Sequence, residues 1–94
     1  MVDSGAIRLH LVITGYVQGV GFRYSARHEA NSLGLNGWVR NTSDGSVEAV
    51  VEGGPDAVRS FVSWARSGPS GASVQSVETD EEAPRGERSF QILT

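Results

Sequence analysis

The chain has 94 residues, 38% of them hydrophobic, enough for one core but hardly two, so a single domain over residues 1–94 is expected. Cysteine is absent, which removes disulfides and thiolate zinc sites as stabilisers and weakens the case for a small secreted scaffold. The formal charge is −3 and all eight basic residues are arginine, which excludes Schiff-base, phosphate-loop-lysine and ammonium-base chemistry and argues against a clustered basic face for nucleic acid.

Residues 1–6 are polar, with no basic stretch leading into an apolar run, and read as a flexible N-terminal tail. No apolar run approaches the ~20 residues of a transmembrane helix, so a soluble, cytoplasmic protein without a membrane partner is expected. Over residues 7–13, Ile7, Leu9, Leu11 and Ile13 alternate with Arg8, His10 and Val12, the period of a half-buried strand. A glycine-punctuated loop follows, then Phe22, Ala26, Ala30 and Leu33 at helical spacing, with Gly34 as a C-terminal cap.

Residues 35–41 read as a second strand, Asp44-Gly45 as a hairpin turn, and Val47, Ala49 and Val51 as one face of a third strand antiparallel to the second. Pro55 opens a second helix whose apolar face carries Ala57, Val58, Phe61, Val62 and Ala65, and Gly68-Pro69 stops it. Residues 74–79 form a fourth strand and residues 90–93 a short terminal one, beyond a charged, mobile-looking stretch at 80–88. The order β-α-β-β-α-β with two amphipathic helices predicts an α+β, ferredoxin-like two-layer sandwich: helices on one face of an antiparallel sheet, with a short extra C-terminal strand. That architecture hosts RNA binders, metal chaperones, regulatory modules and enzymes, so function has to come from a site.

The loop Gly15-Tyr16-Val17-Gln18-Gly19-Val20-Gly21-Phe22-Arg23 joins a strand directly to a helix N-terminus. Gly19 and Gly21 free its backbone to turn several N–H groups inward beside the positive end of the helix, a physical site for phosphate or carboxylate. Arg23 sharpens this, because an exposed cation in the first helical turn opposes the macrodipole by about 0.3–1 kcal/mol, whereas a bound anion converts that repulsion into attraction. A plain structural turn is the competing reading. The dinucleotide pattern fails for want of glycine at Tyr24, and the nucleotide phosphate loop fails for want of lysine, leaving a small phosphorylated group as the better candidate ligand. Asn41 stands just before the Asp44-Gly45 turn, where asparagine commonly serves a hairpin, and spacing does not bring it to the loop.

These two segments closely resemble the acylphosphatase family: Gly15-x-Val17-Gln18-Gly19-Val20-Gly21-Phe22-Arg23, then Gly34-Leu35-x-Gly37-Trp38-Val39-Arg40-Asn41-x-x-Asp44-Gly45-x-Val47-Glu48. The similarity extends to Gly53-Gly54, Gly68-Pro69 and Phe90-x-Ile92, and so covers about residues 7–93. The resemblance implies a ferredoxin-like enzyme that hydrolyses small-molecule acyl phosphates. It implies that the amides of Gln18, Gly19, Val20, Gly21 and Phe22 and the side chain of Arg23 hold the phosphoryl oxygens, while Asn41 orients water. It implies no metal, no cofactor and no phosphoenzyme.

Other residues read more plainly: His10 and His28 as strand-face or surface histidines, Arg40 as a surface contact, Trp38 and Trp64 as core or interface aromatics, and Asp44 as a turn residue. A noncatalytic anion-binding or regulatory module is the alternative class. RNA binding through the sheet is disfavoured, because the third strand offers Glu48 and Glu52 where basic or aromatic residues are wanted. Scattered apolar residues give no self-association stripe, so a monomer is expected.

Overall fold

The computed structural model describes residues 5–93 and runs β1 (Ile7–Tyr16), α1 (Phe22–Ser32), β2 (Asn36–Asn41), β3 (Val47–Gly53), α2 (Pro55–Ser67), β4 (Ser73–Glu82) and β5 (Phe90–Ile92). Of the tail expected at residues 1–6, residues 1–4 lie outside the described range. The strands form one sheet in the order β4-β1-β3-β2-β5. β1 pairs antiparallel with β3 and β4, and β2 antiparallel with β3, which is the expected ferredoxin-like arrangement. β5 joins β2 in parallel, with Gly37 opposite Phe90 and Val39 opposite Ile92, so the complete sheet is mixed.

Both helices pack on one face: α1 over β2 and β5, α2 over β1 and β4. The alternation read from the sequence supplies the buried layer, with Leu11, Ile13, Val39, Ala49 and Val51 from the strands meeting Phe22, Ala26, Ala30, Val58, Phe61 and Ala65 from the helices. Each large apolar side chain buried in this way contributes about 1.5–3 kcal/mol. α2 has Pro55 in its first turn with Asp56, and Arg66 in its last turn, a charge order that suits the macrodipole.

Two strands outrun their apolar patterns. β1 reaches Tyr16 through a register shift at Thr14/Gly15, a bulge that alternation does not encode. β4 extends to Glu82, because acidic side chains are tolerated on an exposed edge where apolar ones are not needed.

The charged stretch at 80–88, read from sequence as mobile, is pinned. β4 and β5 run in opposite directions on opposite edges, so the connection between them crosses one end of the sheet. Each strand end it passes provides a hold. Arg8 of β1 donates to Glu82 and Glu87, both at 2.9 Å. Glu52 of β3 accepts from the N–H groups of Arg85, Gly86 and Glu87 at 2.6, 3.0 and 2.9 Å. Asn36 of β2 donates to the Glu87 carbonyl at 3.0 Å. Arg8 and Glu52 are only 2% and 7% exposed. Burial alone would raise the Glu52 carboxyl, but three amide donors and the Arg8 charge outweigh it and hold the group below the ordinary carboxylate range. Burial likewise works against the Arg8 charge, and the bonds to Glu87 and Glu82 overcome it, leaving the guanidinium more basic than usual.

Candidate active site

The opposite end of the sheet carries the glycine loop. Val17 is buried at 1% exposure and Val20 packs partly against the core, so the loop is anchored by two apolar side chains while Gly19 and Gly21 stay exposed. Gly19 and Gly21 have φ of 76° and 78°, and a Cβ at either would meet nothing within 4 Å. Glycine is therefore required for backbone conformation rather than for space. Gly21 is the N-cap of α1, in the left-handed region, with no side-chain cap. Backbone alternation of this kind turns successive N–H groups to one side.

None of the N–H groups of residues 18–22 has an acceptor among the described residues, and α1 has no acidic residue in its first turn. The first amides of a helix lack intrahelical partners by construction, so the loop and the helix end together present a run of free donors. Phe22 fixes this helix end: it is buried and packs against Trp64 at 5.3 Å between ring centroids, and Trp64 in turn lies 5.6 Å from Phe61. Arg23 follows at the second helical position, half-buried and without an ion pair or hydrogen bond to any described residue. A cation held there beside free amides lacks an anion.

Chain geometry brings Asn41 to the same place. α1 has 11 residues and rises about 16 Å, and after a tight turn β2 returns over about 17 Å from Asn36 to Asn41, so its last residue stands level with the start of α1. Asn41 shares its strand face with Val39, which is buried under the helices, and pairs with Val47, itself opposite Ile13 of β1. Its Oδ1 is buried and has no hydrogen-bond partner among the described residues. The hairpin does not use it. Asp44 closes the turn instead, accepting from the Thr42 hydroxyl at 2.5 Å and the Ser46 N–H at 3.0 Å, bonds that hold its carboxyl below the usual range.

Gln18 ties the two segments together. Its Nε2 donates to the carbonyls of Thr42 and Ser46, both at 2.8 Å. This side-chain contact was missed by reading the sequence, although the turn that receives it was expected. The Thr42-Ser43-Asp44-Gly45-Ser46 run carried a turn signal only.

The remaining polar residues lie elsewhere. Glu48 bonds His10 and Arg40, each at 2.6 Å, on the sheet face away from the helices, and the His10 bond leads in holding its carboxyl low. Arg40 also lies over the Trp38 ring at 5.9 Å, the surface contact expected of it. His28 is exposed on α1. Among the described residues no group of three His, Asp or Glu side chains gathers as a metal site, and no helix is long and apolar enough to cross a membrane.

A family model described as Acylphosphatase matches residues 9–92. The chain belongs to the acylphosphatase family. Acylphosphatase of Trichormus variabilis is 53% identical over 90 residues, covering 96% of this chain and 89% of that one. Acylphosphatase of Thermococcus kodakarensis is 51% identical over 87 residues, covering 93% and 96%. The crystal structure of acylphosphatase from Bacillus subtilis superposes with a TM-score of 0.91 at 36% identity, covering 94% of this chain and 99% of that one. As an acylphosphatase, the protein is an enzyme that hydrolyses acyl phosphates, which are small-molecule substrates.

Proposed function

We propose that hydrolysis proceeds by direct attack of one water on a phosphoryl group held by Arg23 and the amides of Gln18, Gly19, Val20, Gly21 and Phe22, with Asn41 orienting that water. The observation that carries this reading is the half-buried Arg23 beside a run of amides, all without a partner among the described residues. The buried Oδ1 of Asn41, which has no partner among the described residues and lies at the same end of the sheet, supports the second half, since a carboxamide oxygen accepts from a water hydrogen without adding charge.

The chemistry asks for little more. An acyl phosphate is a mixed anhydride whose leaving group is a carboxylate, so protonation of that group at neutral pH gains little. The transition state is loose, with charge spread over the equatorial oxygens, and catalysis consists mainly of positioning and charge stabilisation. The guanidinium offers planar paired donors to those oxygens, while the free amides and the helix dipole add fixed positive potential. The phosphate–acyl P–O bond breaks, the carboxylate leaves with its electron pair, and the acyl phosphate dianion plus water gives carboxylate and dihydrogen phosphate. Both water protons remain on the product phosphate, so no side-chain base is consumed. A carboxylate base in that position would repel the dianion, which is where asparagine has the advantage. The enzyme works on this reading as a cytoplasmic, single-domain monomer without metal or cofactor.

Isotope labelling tests the step. Single-turnover hydrolysis of benzoyl phosphate in ¹⁸O-water is expected to place the label in phosphate, with no burst of benzoate ahead of phosphate. Label in benzoate would move the attack to the acyl carbon, and a burst would reveal a phosphoenzyme.

A further inference from the structure

We propose that the Gln18 side chain is a positioning residue that sets the distance between the phosphoryl cradle and Asn41, an inference that rests on the reading of Asn41 as holder of the attacking water. The backbone amide of Gln18 lies at the start of the cradle, and its side chain leaves the cradle for the far segment. Both hydrogens of Nε2 are engaged there, on the carbonyls of Thr42 and Ser46 at 2.8 Å each. Thr42 is the residue after Asn41, and Ser46 precedes Val47, the cross-strand partner of Asn41. The two carbonyls also flank the last rung of the hairpin, where the Thr42 N–H donates to the Ser46 carbonyl at 2.9 Å. Gln18 therefore grips the rung next to Asn41 from both strands.

Glutamine suits this task and its neighbours in chemistry do not. The two acceptors are carbonyl oxygens, so a carboxylate at position 18 would have nothing to donate and would bring negative charge to an anion site. Methionine matches the length but carries no donor. Asparagine keeps the amide and falls short by one methylene. The loop is also anchored through Val17 and Val20, apolar contacts that fix depth but not direction. The paired hydrogen bonds are directional, and they connect the two halves of the site across 24 and 28 residues of sequence. In-line attack is sensitive to such a link, since a 1 Å misplacement costs about 10²-fold in rate.

The test is a double-mutant cycle on benzoyl phosphate hydrolysis, with inorganic phosphate inhibition measured in parallel. Gln18→Met is expected to lower kcat about 10- to 100-fold while the inhibition constant for phosphate moves less than about threefold. In the Asn41→Ala background the same change is expected to have little further effect, because the water-holding group it positions is already gone. Equal fold-losses in both backgrounds would overturn the proposal, as would a loss seen only in phosphate affinity or no loss at all. Asn41→Ala alone judges the underlying reading: retained kcat there removes the role of Asn41, whereas a multiplicative Gln18 effect with a damaged Asn41→Ala removes only the coupling. Should Gln18→Met fail to fold, Gln18→Asn carries the same comparison.

Discussion

Arg23 was legible because it breaks a local rule. A cation at the second position of a helix opposes the dipole, and with no acidic residue in that turn and no partner for its guanidinium the conflict stays unresolved among the described residues. Asn41 was not legible in the same way. An asparagine before Asp-Gly has an ordinary use in a turn, and only the family resemblance gave it another. The physical reason to set the ordinary use aside is tertiary: Asp44 holds the turn, and the Asn41 amide oxygen is buried with no described partner. This has consequences of opposite sign for activity and stability. Asn41→Ala is expected to lower kcat by at least about 10²-fold with KM changed by less than about threefold. The same substitution is expected to leave the melting temperature unchanged or slightly raised, because it deletes a buried acceptor that has no bond to lose. Steady-state kinetics and a thermal melt on one preparation check both, and a large rise in KM at constant kcat would contradict the water-orienting role.

At the scale of elements, the strand and helix order followed from periodicity, while the strap at 83–89 did not. Alternation correctly set Glu52 on the face opposite Val51, yet its burial comes from partners far away in sequence: Arg8 and the amides of Arg85, Gly86 and Glu87. Charge-rich, turn-rich composition reads as mobile until such a partner is known. The parallel pairing of β5 was hidden for the same reason, since three residues carry no direction of their own. The strap gives stability a defined pH dependence. The Glu52 carboxyl lies below its ordinary 4.5 in the folded state, so its contribution is complete above that value and is lost as pH falls through the folded-state value. Glu82, lowered chiefly by its bond to Arg8, acts in the same direction. Glu52→Gln is expected to reduce stability at neutral pH by about 1–3 kcal/mol, toward the lower figure because the exposed Arg85 and Gly86 can turn their amides to water. Denaturant melts between pH 7 and pH 3 should show the variant losing less on acidification than the parent. Equal slopes would show that Glu52 does not carry the dependence. Turnover at neutral pH is expected to be retained, because Glu52 pairs with Asn36 and Arg8 at the end of the sheet away from Asn41 and Val47.

Across the whole molecule, the two ends of one sheet have different work. One end is closed by the ionic strap and fixes the edges; the other leaves donors open. The helix and strand that flank the open end are matched in length, so the glycine loop and the end of β2 meet without either reaching out of the fold. Phe22, Trp64, Phe61 and Phe90 run from the first residue of α1 to β5, centroid to centroid at 5.3, 5.6 and 6.3 Å, and hold the helix end against the core. Sequence periodicity contained the two layers and the loop between β1 and α1. It did not contain the meeting of loop and hairpin, which depends on the α1–β2 return and on the Gln18 contacts. Benzoyl phosphate turnover in chelator-containing buffer, compared between the parent enzyme and a folded Arg23→Ala variant, measures whether an anion cradle completed by Arg23 performs metal-free acyl phosphate hydrolysis. Turnover is expected to be insensitive to chelator and to fall by at least about 10²- to 10³-fold in the variant, as a cradle completed by Arg23 requires. Near-normal turnover by Arg23→Ala, or loss of parent activity on chelation, would contradict it.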